Sequence, residues 1–347
     1  MPESYDRPLG TGPSGPPPWP KTVVIQQRSY GWIAAILCAM LLFSSLMNVI
    51  LLVVVAGRVP DPNAPIEVYV SGDRSNDDKI AILEVSGAIM PPLTERWLKA
   101  IEAIEKDDHV RGVVLHIDSP GGLVADSHQI YHALNELREK TSKPIDVSMA
   151  RIAASGGYYI AMGAGPEGRI YAEPTTWTGS IGVILNRFDV SELAEKVGVK
   201  SEPLVTGKFK DTLNPFRDLT EDERELWATI IDDSFVRFKQ VIVDGRAGLD
   251  EEQVSELATG QVYTSSQAEE NGLIDEIGFL DDAIGGLSEK LGLDDPLVIT
   301  YEHQMSLTDL LTGASQTSAE MSPLQSLLES SVPRVMYFCG WNAGLEM

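Results

Sequence analysis

Three short segments carry residue types that together could perform acyl transfer. Ala153-Ala154-Ser155-Gly156-Gly157-Tyr158-Tyr159 puts a small hydroxyl where a strand turns into a helix. Upstream, His116-Ile117-Asp118-Ser119-Pro120-Gly121-Gly122 offers backbone N–H groups from a glycine turn; downstream, Thr206-Gly207-Lys208-Phe209-Lys210-Asp211 offers amines. A serine nucleophile, donors for a developing oxyanion and a nitrogen base are the parts of a hydrolase that works through an acyl-enzyme.

Serine is a weak nucleophile until a base takes its proton. The histidines are His109, His116, His128, His132 and His303. None follows Ser155 within the main α/β segment, and His303 lies in a weakly patterned tail. His116, in a strand just before the Pro-Gly-Gly turn, stays open as a triad member. Lysine is the other known partner, provided burial favours its neutral amine. Lys208 and Lys210 flank Phe209, and an extended segment would point both to one side; the pattern does not choose between them. Gly156 and Gly157, and Gly121 and Gly122, each allow close backbone approach with free N–H groups. Asp118, before Ser-Pro, reads as a turn former rather than a catalytic acid.

The elements that must position these groups alternate in type. Ile80–Val85, Val113–Ile117 and Ile145–Met149 are apolar runs of strand length, while Glu95–Lys106 has helical spacing. Ile130, Leu134 and Leu137 share one helix face, and Tyr158–Ala164 reads as a buried helix of small residues. This order predicts an α/β fold with a parallel sheet and crossover helices. Further on, Ile181–Leu185 reads as a strand and Ser191–Val197 as a short helix. Thr220-Glu221-Asp222-Glu223 is a capping box opening a long helix to about Val243. A smaller strand–helix unit follows to about Leu293.

Gly31–Ala56 is an uncharged run of 26 residues, long enough to cross a bilayer. It starts too late and runs too long for a cleaved leader, so it reads as a signal anchor. Arg7, Lys21 and Arg28 precede it, which places the short N-terminus in the cytoplasm and the rest outside. The expected division is a Pro/Gly-rich tail over 1–30, the span over 31–56, a linker over 57–78, a catalytic domain over 79–295 and a C-terminal tail over 296–347. In that tail Val335–Trp341 regains hydrophobicity; packing is favoured for it over dipping into a membrane or lying in the groove. The net charge of −24 argues against a nucleic-acid partner. Cys38 and Cys339 are the only cysteines, so the segment between them forms no internal disulfide.

Taken in order, the motifs resemble the signal peptide peptidase A family of bacterial serine proteases, peptidase family S49. They are Asp118-Ser119-Pro120-Gly121-Gly122, Ala154-Ser155-Gly156-Gly157-Tyr158-Tyr159, Thr178-Gly179-Ser180-Ile181-Gly182-Val183 and Lys210-Asp211. The likeness continues through Asn214-Pro215-Phe216-Arg217, Gly245-Arg246, Gly260-Gln261-Val262-Tyr263 and Gly272-Leu273-Ile274-Asp275 to Gly278.

The resemblance implies a Clp-protease/crotonase-like fold and a Ser-Lys dyad. Ser155 is then the nucleophile and Lys210, directly before Asp211, the base. Ser180 helps to orient the lysine, and the N–H groups of Gly122 and Gly156 form the oxyanion hole. No cofactor and no metal are implied. The single lysine-bearing copy matches the short form of the family, which assembles in homo-oligomeric rings. Remnant signal peptides are the implied substrates. The alternatives are a protease of the same clan acting on stomatin-type proteins, and a non-catalytic crotonase-like scaffold.

Overall fold

The computed structural model describes residues 31–56, 65–303 and 335–338. The expected tail over 1–30 lies outside them. Helix α1 (Gly31–Ala56) forms where the uncharged run predicts it, and its Gly31–Leu51 stretch is long and apolar enough to cross a membrane. It belongs to a unit separate from the one beginning at Asp61.

The second unit opens with β1 (Pro65–Ser71), β2 (Lys79–Ser86), α2 (Leu93–Lys106), β3 (Val110–Ser119) and the short β4 (Gly121–Leu123). Then come α3 (Val124–Thr141), β5 (Ile145–Ala154) and α4 (Gly156–Ala161), which runs into a 3-10 turn ending at Ala164. After β6 (Ile170–Ala172) and β7 (Trp177–Gly179) follow α5 (Ser191–Lys196), α6 (Glu221–Gly245) and α7 (Glu251–Leu257). The remaining elements are β8 (Val262–Thr264), α8 (Ser265–Glu270), β9 (Glu276–Ile277), α9 (Leu280–Leu291), β10 (Leu297–His303) and β11 (Met336–Phe338).

The main sheet has the order β1-β10-β2-β3-β5-β6-β9, with β7 beside the end of β5 and β8 beside β7. All its pairings are parallel except β1 with β10 and β7 with β8. The apolar runs of β2, β3 and β5 are buried on both faces, as in a sheet covered by helices on each side. Ile130, Leu134 and Leu137 of α3 are fully buried, as their spacing predicts. The capping box at Thr220 and Glu223 starts α6 with both reciprocal bonds made.

Three segments differ from the sequence reading. Pro65–Ser71, within the expected linker, and Leu297–His303, within the expected tail, pair antiparallel with each other, and β10 adds parallel to β2. Their partners lie far away in sequence, so local pattern carries little of the signal. Ile181–Leu185 forms no strand; Ile184 alone makes a bridge, to Met336.

Two motif residues prove to be structural. Arg246 donates two hydrogen bonds to the Asp275 carboxylate at 2.7 and 2.8 Å and one to the Gly272 carbonyl at 2.9 Å, tying the end of α6 to the β9 region. Although burial opposes ionisation of Asp275, the Arg246 bonds hold its carboxyl below the usual carboxylate value.

Candidate active site

Ser155 stands between the last residue of β5 and the first of α4, at φ 56° and ψ −114°. This left-handed conformation costs a non-glycine residue on the order of 1–3 kcal/mol and persists only where the surroundings enforce it. The surroundings here are specific. Ser155 N donates to Gly179 O at 2.7 Å, and Tyr159 N donates to Ser155 O at 2.9 Å. The position is that of an N-cap, yet the hydroxyl caps nothing. Ser155 is 1% exposed and its Oγ has no hydrogen-bond partner among the described residues. A sharp strand-to-helix turn presenting an unpartnered serine hydroxyl is the geometry of a nucleophile elbow.

Ser180 arrives beside it by sheet register. Ala154 pairs with Gly179 in the parallel β5–β7 ladder, and Ser155 and Ser180 are the residues that directly follow the two strands. Ser180 also has positive φ, 49°, and its N–H donates to Gln261 O at 2.7 Å.

The glycine turn folds against the same spot. Gly121 N is taken by Ser119 Oγ at 3.1 Å, and Leu123 N donates to Ile89 O at 2.8 Å. Alternation along β4 therefore turns the Gly122 N–H away from Ile89, toward the side on which β11 lies. A Cβ on Gly156 would stand 3.1 Å from Gly122 N, so the two glycines meet closely. A Cβ on Gly122 would fall 2.0 Å from Ile89 O. Gly122→Ala must therefore pry β4 from Ile89, and both thermal stability and any hydrolytic activity should fall. Gly285→Ala, with nothing within 4 Å of its Cβ inside α9, should instead raise Tm slightly, by up to about 1 kcal/mol of stability. Melting curves of the two variants check this.

The lysine segment is not extended. Residues 208–213 form consecutive turns, so the condition under which Lys208 and Lys210 would point to one side is not met. The two are separated by their partners instead. Lys208 pairs with Asp222 and lies over the Phe209 ring, 5.2 Å from its centroid. The Lys210 side chain is exposed and makes no hydrogen bond or ion pair among the described residues. It shares none with Ser155.

What fixes the lysine loop is Arg217, whose role the sequence did not reveal. Its Nε donates to Asp211 Oδ2 at 2.9 Å and its Nη2 to Asp211 O at 2.7 Å. The same guanidinium grips the buried Glu223 carboxylate at 2.6 and 2.8 Å, anchoring the loop to the first turn of α6. Arg187 reaches in from the other side, to Asn214 O at 3.1 Å and to Arg217 O. The motif spacing Lys-Asp, then Asn-Pro-Phe-Arg, then a capping-box Glu was the available signal. Hydrogen bonds from Arg217 bring Glu223 down from 4.5 to about 2. A carboxyl depressed on folding contributes stability above its unfolded value, and loses it as pH falls through the folded one. The Tm deficit of Glu223→Gln against the native protein should thus be largest above pH 4.5 and shrink toward pH 2.

The histidines lead elsewhere. His116 Nδ1 lies 3.2 Å from Ser148 Oγ, and His128 Nδ1 lies 2.8 Å from the Tyr159 hydroxyl. Burial, with Arg237 adding, pushes His128 below the ordinary imidazole value. His303 ends β10, separated from β5 by β2 and β3. Asp118 is the penultimate residue of β3, and its carboxylate accepts from Arg151 Nε at 2.8 Å, an ion-pair role rather than the expected turn-forming one. No group of residues suited to a metal ion occurs among the described residues.

Comparison with known proteins defines the class. The profile of peptidase family S49 matches residues 137–294. A protease-named protein of Synechocystis sp. is 39% identical over 258 residues, 74% of this chain and 91% of that one. A protein of Enterococcus faecium named as a signal peptide peptidase SppA is 34% identical over 257 residues, covering 71% of this chain and 73% of its own length. The chloroplastic serine protease SPPA of Arabidopsis thaliana is 33% identical over 252 residues, which are 68% of this chain and 36% of that longer one. The protein is therefore a serine-type peptidase. It belongs to peptidase family S49, among the relatives of signal peptide peptidase A.

Proposed function

We propose that the chain is a membrane-anchored serine endopeptidase with Ser155 as nucleophile and Lys210 as general base, built on a Clp-protease/crotonase-like core. The observation that carries this is the strained, buried Ser155, whose hydroxyl has no structural employment. A non-catalytic scaffold has no use for such a residue.

In this mechanism Ser155 Oγ attacks the scissile carbonyl carbon while its proton passes to the neutral amine of Lys210. The oxyanion is held by the N–H groups of Gly122 and Gly156. On collapse the C–N bond breaks and Lys210 returns the proton to the leaving amine. Water then attacks the ester as Lys210 takes its proton; the acyl C–Oγ bond breaks, Lys210 passes that proton to Ser155 Oγ, and the peptide leaves as its carboxylic acid. Ser180, one strand away, supplies a hydroxyl to orient the amine.

A lysine acts as a base only when shielded from water, and Lys210 is exposed in the isolated chain. The surrounding segment exposes large apolar side chains, among them Phe188 at 79% and Leu204 at 102%. A monomer rarely leaves such a surface open. In our reading neighbouring copies in a ring cover it and complete each site. Mixing inactive Ser155→Ala and Lys210→Ala chains, with subunit exchange, should then restore part of the hydrolysis of an extended apolar peptide. Hydrolysis unaffected by Ser155→Ala would refute the peptidase assignment of that residue.

α1, with Leu41, Leu42 and Phe43 all well exposed, supports an anchor, because such a surface is stable in hydrocarbon and not in water. The charge bias before it favours a catalytic unit outside the cytoplasm. Peptides left in or near the membrane, remnant signal peptides included, are the substrate class that fits this placement.

A further inference from the structure

The Gly122 N–H can act on an oxyanion only if its peptide plane is held, and Gly121 makes that plane easy to lose. With φ at +98°, Gly121 occupies a region that glycine alone enters freely, and the chain is soft to rotation on both sides of it. Two peptide planes meet there. The first carries the Gly121 N–H. The second carries the Gly121 carbonyl and, on its opposite edge, the Gly122 N–H, because the peptide is trans and planar.

Each plane has its own holder. Ile89 N donates to Gly121 O at 2.9 Å, so the Gly122 N–H on the far edge of that plane points away from Ile89. Ser119 Oγ accepts from Gly121 N at 3.1 Å and holds the plane before it. The next residue is tied as well: Leu123 N donates to Ile89 O at 2.8 Å, and Ser127 Oγ donates to Leu123 O at 2.9 Å. The N–H groups and carbonyls of Gly121 and Leu123 are thus all engaged, and those of Gly122 are turned the other way. Ser127 makes the ordinary bond of a helical serine to the carbonyl four residues back, as Ser234 and Ser288 do. Ser119 is different. It is the last residue of β3 and fully buried, where a hydroxyl adds a desolvated oxygen that packing does not require. Its surroundings are the elements of the site. It pairs with Ala153, two residues before Ser155, and a Cβ on Gly157 would stand 2.8 Å from Ser119 O and 3.5 Å from Ser119 Cβ.

We propose that Ser119 is a positioning residue for the oxyanion hole: its hydroxyl pins the Gly121 N–H and, through the two planes that meet at Gly121, sets the aim of the Gly122 N–H toward the carbonyl oxygen of the bond that Ser155 attacks. The proposal rests on the reading of Ser155 as nucleophile and Gly122 as oxyanion donor, and it adds the side chain that keeps the donor in place. Ser119 acts through Gly121 rather than on the substrate. A hydroxyl that accepts from the amide two residues on is elsewhere a plain support for a turn, and such a support would affect stability alone. An aimed donor instead counts most when negative charge develops on the carbonyl oxygen, so its loss falls on the transition state.

The test uses the full chain in detergent. Ser119→Ala should lower kcat for an extended apolar peptide about 10- to 100-fold, short of the roughly 10²–10³-fold for outright loss of a donor, with KM changed less than about threefold. Ser119→Cys, close in size but a weaker acceptor, should fall between the native protein and Ser119→Ala. A leucine peptide aldehyde separates aim from structural support. Ser155 Oγ adds to its carbonyl carbon, the π bond opens onto oxygen and the serine proton passes to Lys210, so the adduct presents an oxyanion to the hole. Its inhibition constant should rise in Ser119→Ala by about the factor by which kcat/KM falls. The matching leucine peptide amide, titrated against Ser155→Ala with and without Ser119→Ala, should bind both alike. Native kcat in a folded Ser119→Ala variant overturns the proposal, as does equal weakening of aldehyde and amide. Should Ser119→Ala fail to fold, the same two readings on Ser119→Cys decide. Peptide hydrolysis that survives Ser155→Ala removes the peptidase reading; native kcat in the Ser119 variants removes this one alone.

Discussion

Ser155→Ala is expected to lower kcat/KM for an extended apolar peptide by about 10⁴-fold or more, the scale on which loss of a catalytic serine is felt. KM should change little, since the hydroxyl is spent in the transition state rather than on binding. A second substitution separates function from fold. Ser155 holds φ 56° and ψ −114°, a conformation that glycine adopts without penalty. Ser155→Gly should therefore be as inactive as Ser155→Ala yet unfold at higher temperature, by on the order of 1 kcal/mol of added stability. A residue that weakens the fold while being indispensable to turnover is what stored strain at a reactive group looks like. Urea or thermal unfolding of the catalytic unit, read beside the peptide assay, gives both numbers.

The second large effect distinguishes two lysines two residues apart. Lys210→Ala should cost roughly 10²–10⁴-fold in kcat, the usual contribution of a positioned general base. Lys208→Ala breaks an ion pair with Asp222 at the surface; such pairs contribute about 0–1 kcal/mol, so activity should stay within about threefold. The pH–rate profile adds a separate criterion. A base-dependent rise in kcat/KM with pH should be lost in Lys210→Ala and kept in Lys208→Ala. Arg217→Met should resemble a weakened Lys210→Ala, because it frees Asp211 and the loop from α6 without removing the amine.

Much of this was legible in the residues because the determinants are local. The serine between a strand and a glycine pair, the Pro-Gly-Gly turn and the Thr220–Glu223 capping box are each set by a few adjacent residues. Ser155 could be read as a candidate nucleophile, but the fact that its hydroxyl caps nothing required the fold. The lysine loop was half legible: the motif chose Lys210 by resemblance, while the turns that split it from Lys208 depend on Arg217 and Arg187 reaching across. The strands β1, β10 and β11 escaped because their stability comes from partners far away in sequence. Met336–Phe338 shows this well. Its aromatic run was visible, but its pairing with Gly121–Leu123 bridges most of the chain, and nothing in its own residues announces that partner.

The most direct measurement is the identity of the acylated residue. The full chain in detergent is mixed with an activated ester of a tyrosine-containing peptide, quenched in acid within the first turnover, digested and mapped by mass spectrometry. The account predicts one acyl group, on Ser155, that fails to accumulate on this timescale in Lys210→Ala. Turnover of the ester with the acyl group on another residue, or with no acyl-enzyme at Ser155, would contradict it.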